Sequence, residues 1–295
     1  MRLNQIRDFV ALVESGSMSA AARSVGVSQP SITNSIRLLE AELHVQLVHR
    51  TTRGVVPTRC GRLFFSRAKV IKSELRRAIH ELGELTGGEA GSVAFGCGPT
   101  VAERMVPEAL IAFRKLFPNA DVHMVEGFGH TLVPKVRDET LEFAIAPRLP
   151  EFKADRAIRF RPLFAPERVV VGRRGHPLAG AKSLAELKDS AWLTFEPEAL
   201  LARDFARHGL MRPRPLVLCE SFTGFLRLLE TTDMLGIVPR IGRVAALPRF
   251  RVFDLQEPLL SLTAGIFTRA DSPLTPAAAA LLRALVATTA RFAKR

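Results

Sequence analysis

Five of the six hydrogen-bonding side chains in the short run QPSITNSIR are Gln29, Ser31, Thr33, Asn34 and Arg37. Interleaved with them, Ile32, Ile36, Leu39 and Leu43 recur at spacings of four, three and four. That is the pattern of a single narrow apolar stripe on an α-helix, so the polar groups share the other side with Pro30 and Ala41. Amide and guanidinium groups displayed in this way can make paired hydrogen bonds to adenine and guanine edges, and small or methyl-bearing residues can meet the thymine methyl. A helical hairpin with a merely wet outer face would carry the same stripe, so the neighbouring segments must decide.

Upstream, Ala20, Ala21 and Ala22 dominate a short helix from about Ser19 to Ser24, and alanine allows close helix approach. Gly26 can take the left-handed conformation that ends a helix. Ser28 is a natural N-cap, and Pro30 in the first turn has no N–H to leave unsatisfied. Leu3, Ile6, Phe9, Val10 and Val13 form the apolar face of a leading helix. After the pair, VHRTTRGVVPTRCG combines β-branched residues, a Gly54 turn and arginines, as a two-stranded wing would. The set Phe9, Glu14-Ser15-Gly16-Ser17, Ala21-Ala22, Val27 to Ser31, Ile36, Leu39-Glu40, Leu43, Leu47, Arg50, Thr58 and Gly61 resembles the winged helix-turn-helix of LysR-type transcriptional regulators. It covers nearly all of the first sixty residues. His44 replaces the usual glycine and Val48 the usual phenylalanine; Pro57 and Cys60 also depart from common choices. The resemblance implies a DNA-binding domain over 1–59 that meets a double-stranded, inverted-repeat operator. Gln29, Pro30, Ser31, Thr33, Asn34 and Arg37 would face the bases, with Arg50, Thr51 and Arg53 at the backbone or minor groove.

The net charge of +13 is spread along the chain, so its total does not locate this face. Local density does: from Arg50 to Arg77 there are nine basic residues and one acidic residue, Glu74. Such a cluster attracts phosphates and makes binding salt-dependent. The 295 residues suggest two or three units. Cys60, Cys97 and Cys219 are odd in number and widely spaced, which argues for a reducing compartment and against a disulfide framework or zinc site. Met1 to Val10 shows no secretory pattern and no tract is long enough to span a bilayer, so a cytoplasmic protein without membrane association, metal or cofactor is expected.

From Arg59 the chain reads as one long helix. Phe64, Ala68, Ile71, Leu75, Ala78, Leu82 and Leu85 alternate at four and three, a heptad repeat that pairs helices as a coiled coil. Residues 60–88 are therefore expected to be a dimerisation linker, ended by a Gly87-Gly88 hinge. Two copies would place two recognition helices on adjacent turns of a duplex. The resemblance implies homodimers assembling into homotetramers, and a contact with RNA polymerase.

Residues 89–295 alternate strands and helices, which predicts an α/β domain with parallel sheets flanked by helices. In such sheets ligands sit at the carboxyl ends of strands. The candidates there are Cys97, Gly98, Pro99 and Thr100; Phe128, Gly129 and His130; Ala146 and Pro147; Phe195; and Ser221, Phe222 and Thr223. Small residues, hydroxyls and three phenylalanines, with the positive total charge, tilt the expectation toward an organic or aromatic anion. The resemblance implies a two-lobed effector domain similar to periplasmic solute-binding proteins. Lobe one would hold 90–160 plus 268–295, and lobe two 166–266, with crossings near Arg161–Ala165 and Phe267–Pro273. Cys219-Glu220-Ser221-Phe222 and Thr275 to Ala279 look similar to members that control breakdown of aromatic sulfonates. Two other classes compete. A solute-binding transport component would lack the DNA-binding head. An enzyme could use Cys97, whose thiol at a helix N-terminus would be acidified, but neither His123 nor His130 is fixed as its base.

Overall fold

The computed structural model describes residues 1–51, 54–85, 92–150, 152 and 156–292. They form two compact units, Met1–Gly91 with Arg137–Leu141, and Ser92–Val136 with Glu142–Arg295.

The first unit comprises α1 (Leu3–Ser15), α2 (Met18–Val25), α3 (Gln29–Leu43), β1 (Val48–Thr51), β2 (Gly54–Pro57) and α4 (Arg59–Leu85). Ser17 and Ser28 cap α2 and α3, accepting from the amides of Ala20 and Ser31. Gly16 and Gly26 end α1 and α2 in the left-handed conformation at φ 64° and 73°. His44 does the same after α3 at φ 53°, so the departure from glycine keeps the turn and strains it. Phe9, Leu12, Ala21, Ile32, Ile36 and Leu39 are fully buried and form the head's core. Phe9 packs on Phe64 at 5.3 Å and Phe65 at 6.5 Å, which anchors the start of α4 in that core. Farther along, the heptad residues Ile71 and Leu75 are 37% and 41% exposed. The side chains of Leu82 and Leu85, and the Gly87-Gly88 hinge, lie outside the described residues.

The second unit is α/β, with two lobes. In the first lobe, β3 (Ser92–Cys97) is followed by α5 (Pro99–Arg104), α6 (Val106–Leu116), β4 (Asp121–Glu126), α7 (Gly129–Arg137), β5 (Phe143–Pro147) and β6 (Ile158–Phe164). The second lobe holds β7 (Arg168–Arg173), α8 (Leu184–Leu187), β8 (Trp192–Thr194), α9 (Glu198–Ala206), β9 (Leu216–Leu218), α10 (Phe222–Thr231), β10 (Gly236–Pro239), α11 (Arg243–Ala246) and β11 (Phe250–Phe253). The chain then returns to the first lobe through β12 (Ala264–Arg269) and α12 (Pro276–Phe292).

Three expectations need correction. The sequence reads as one helix from about Ala102 to Leu116, but it is broken into α5 and α6 at Met105, because Pro107 has no N–H and its ring crowds the preceding turn. The sheets are mixed rather than parallel. In the order β4-β3-β5-β12-β6, β3 runs parallel to β4 and β5, while β12 is antiparallel to both its neighbours. In the other lobe β10-β7-β11 is antiparallel, and only β8 and β9 are parallel. Finally, both crossing strands lie wholly in the first lobe's sheet. Ala264 already pairs with Pro147 and Phe164, so the return crossing precedes residue 264 instead of falling near Phe267.

Candidate functional site

The underside of α3 is buried through Ile32, Ile36 and Leu39, and its other side is open. Gln29, Pro30, Ser31, Asn34 and Arg37 are exposed there and Thr33 is half-buried. The face is partly preset: the Ser19 hydroxyl donates to Gln29 Oε1 at 2.7 Å, and Arg37 Nη2 donates to Asn34 Oδ1 at 3.2 Å. Thr51 is exposed at the tip of β1, its hydroxyl donating to the Gly54 carbonyl at 3.0 Å. The backbone of Arg50 pairs with Val55; its side chain, and all of Arg53, lie outside the described residues.

The wing is held to this helix by Glu40, a residue the base-reading pattern did not single out. Its Oε1 accepts from the amides of Leu47 at 2.7 Å and Val48 at 3.1 Å. Val55 N donates to Gly16 O at 2.7 Å, tying β2 to the end of α1. Glu40→Ala leaves two amides at the start of β1 without acceptors, and about 1–3 kcal/mol of head stability should be lost. Urea denaturation of the full chain reads this loss; Glu40→Gln, which keeps an acceptor oxygen, should recover most of it.

In the second unit three strand ends are drawn together: Gly98 N donates to Ile145 O at 2.9 Å, and Gly127 N to Cys97 O at 3.0 Å. Between the lobes lies a cleft of about 300 Å³. Of the expected residues, Pro99, Phe128, His130, Phe195 and Phe222 line it. The phenylalanines cluster, with Phe195 at 5.5 Å from Phe128, 5.1 Å from Phe222 and 4.6 Å from Phe225. The others are near but not on its wall. Cys97 and Ala146 are wholly buried, and Gly129 is buried against Pro147 O. Gly98 and Pro147 face each other behind Pro99, and Thr100 lies beside Gly242. Ser221 and Thr223 are exposed, with Ser221 Oγ capping α10 by accepting from Gly224 N at 3.1 Å.

The wall also carries Glu196, which belongs to the strand-end segment Phe195-Glu196-Pro197, and Glu126, Lys135 and Glu220, which were not among the expected contacts. Two of them were legible: Glu126 closes β4 just before the expected loop, and Lys135 follows Thr131 by one helical turn on α7. The positive excess of the whole chain therefore does not extend to this cleft, where glutamates predominate. Larger hollows exist in the unit, including one of about 510 Å³ along β7, but they lack this convergence of strand ends and aromatic rings.

Behind the cleft, Arg168 Nη2 donates to Glu196 Oε2 at 2.6 Å and Nη1 to Asp204 Oδ2 at 2.8 Å. Burial, more than any other influence, pushes the Glu196 carboxyl up, while Arg168 pulls it back. Burial also opposes the Arg168 charge, but the two carboxylates outweigh it and raise the guanidinium. Cys97 does not have the acidified thiol expected of it: burial, then the charge of Glu126, pushes it up to about 12. An inaccessible, protonated thiol is a poor nucleophile.

With this geometry the comparisons with known proteins agree. Residues 3–62 match the family described as bacterial regulatory helix-turn-helix protein, lysR family, and residues 86–290 match the LysR substrate binding domain. The SDS degradation transcriptional activation protein of Pseudomonas sp. (strain ATCC 19151) is 31% identical, with 95% of this chain and 94% of that protein covered. The HTH-type transcriptional regulator TdcA of Escherichia coli (strain K12) is 27% identical, covering 78% and 75%. Among solved structures, CbnR, a LysR family transcriptional regulator, superposes with TM-score 0.69 at 22% identity over 98% of this chain and 99% of that one. Full-length CbnR complexed with its target DNA gives TM-score 0.66, also at 22% identity, covering 98% and 100%. The chain belongs to the LysR family: it is a DNA-binding transcriptional regulator with an effector-binding domain. Among the described residues no helix is long and apolar enough to cross a membrane.

Proposed function

We propose that two copies pair along α4 and set two α3 helices into successive major grooves of an inverted-repeat operator. The exposed heptad residues Ile71 and Leu75 support the pairing, because an apolar stripe left open on one chain is buried by a second. Dimers then join as tetramers. A small organic effector with an apolar or aromatic body enters the cleft between the lobes and changes the tetramer's shape. That change alters the DNA bend and the recruitment of RNA polymerase in the cytoplasm, with no chemistry done on the effector.

The observation that carries this reading is the open polar face of α3 over a closed apolar one. Gln29, Ser31, Thr33, Asn34 and Arg37 read base edges; Arg50, Thr51 and Arg53 hold the backbone or minor groove. Arg37→Ala should weaken operator binding by about 5- to 150-fold, the worth of one bidentate base contact. Its affinity for random DNA should change far less. Mobility-shift titrations on both DNAs read the difference, and equal losses remove Arg37 from the base-reading set.

A further inference from the structure

We propose that the effector brings a positively charged nitrogen, joined to an apolar or aromatic body, into the cleft between the lobes; this rests on that cleft being the effector site. The chain as a whole carries +13, which would draw anions to most of its surface. The cleft is the exception. Glu126, Glu196 and Glu220 stand on its wall against Lys135 and His130. Behind the wall the imbalance continues, since the single guanidinium of Arg168 serves both Glu196 and Asp204. Among the described residues no cation forms an ion pair with Glu126 or Glu220. Partial desolvation of the Glu126 carboxyl, and after it the charge of Glu103, pushes it up with no cation pulling it back, although the residue keeps an exposed side.

Two further features favour a cation over an anion. The rings of Phe128, Phe195 and Phe222 line the same cleft as these carboxylates, and aromatic rings attract cations. Helix N-termini, the usual anion-binding element, are partly used up here. Ser221 Oγ takes the Gly224 amide of α10, and Thr131 Oγ1 accepts from Phe128 N at 3.1 Å ahead of α7. An anion would thus meet helix starts with part of their amides already taken, and several carboxylates.

The test is calorimetric titration of the full chain with matched probes: 2-phenylethylammonium, 3-phenylpropanoate, 2-phenylethanol and 4-toluenesulfonate. The ammonium should bind at least ten-fold more tightly than either anion. In the double variant Glu126→Gln, Glu220→Gln, whose positions are exposed and tolerate the change, its affinity should fall to that of the alcohol. Tighter binding of the carboxylate or sulfonate, lost in Lys135→Ala, overturns the cation while keeping the cleft. If no probe binds, or if Phe128→Ala and Phe222→Ala leave binding untouched, the cleft itself is the wrong site and the proposal goes with it.

Discussion

Arg168→Ala is expected to destabilise the effector domain by about 3–5 kcal/mol, the range for removing one partner of a buried ion pair. The side chains of Arg168, Glu196 and Asp204 are only 3%, 9% and 0% exposed, so the carboxylates lose a partner that solvent does not fully replace. Asp204 also accepts from Leu260 N at 2.7 Å, linking α9 to the segment that leads back to β12. Two largely buried carboxylates would be left without their shared counter-charge. The loss should grow with pH. Burial holds the Glu196 carboxyl above its ordinary value even with Arg168 pulling it down, and without Arg168 it rises further. A carboxyl raised on folding contributes stability below its unfolded value and loses that contribution as pH rises through its folded value. The deficit of the variant relative to the parent chain should therefore be wider at pH 8 than at pH 5, read by urea denaturation at both. Adding Glu196→Gln and Asp204→Asn to Arg168→Met should recover most of the stability. An equal deficit at both pH values would show that the carboxylates do not carry the effect.

The head was legible almost to the residue because its signals are local. A cap serine, a left-handed glycine and a stripe at 3.6-residue spacing each act within one or two turns. The second unit was harder, for reasons visible at particular residues. Strand β6, Ile158–Phe164, alternates apolar residues with Arg159, Arg161 and Pro162, and strand β11 is only Phe250–Phe253; neither stands out from a loop. Without these two strands, the antiparallel pairings β12-β6 and β11-β7 have no trace in the sequence, and the alternation reads as parallel sheets. The cleft was half legible. Strand ends point to it, and five of its aromatic and small residues were foreseen. Its charge is legible only in part: Glu126 and Lys135 adjoin the expected segments, but Glu196 and Arg168 are 28 positions apart and Arg168 and Asp204 36 apart, and only folding brings them together. Total charge is silent for the same reason: a sum over the chain carries no information about one wall.

Gly61→Ala is expected to disable the head while sparing the effector domain. Gly61 sits in the first turn of α4, buried, with its amide donating to Thr58 Oγ1 at 2.9 Å. Its Cα faces the chain entering β1. A Cβ there would come 1.9 Å from Leu47 O, 2.9 Å from Leu47 C and 3.3 Å from Leu47 Cα. These are backbone atoms, so no side chain can rotate aside. The Leu47 carbonyl is also committed, accepting from Thr58 N at 2.9 Å, and the Leu47 amide is held by Glu40. One methyl group thus forces α4 away from the strand that both anchors the wing and closes the core over Phe9. A cost of about 3 kcal/mol, the upper end for overpacking, is expected. Operator and random DNA should both be bound more weakly, unlike the selective loss expected for Arg37→Ala, while ligand binding by the effector domain stays unchanged. Gly98→Ala is the matched control. Its added Cβ would meet Pro147 Cδ at 3.8 Å and Gly127 O at 3.9 Å, ordinary contacts, and its φ of −71° suits any residue. Calorimetric melting of the two variants separates a steric demand at Gly61 from a general intolerance of alanine. If Gly61→Ala melts like the parent chain, α4 has room to shift, and its close seating on the wing is not what holds the head together.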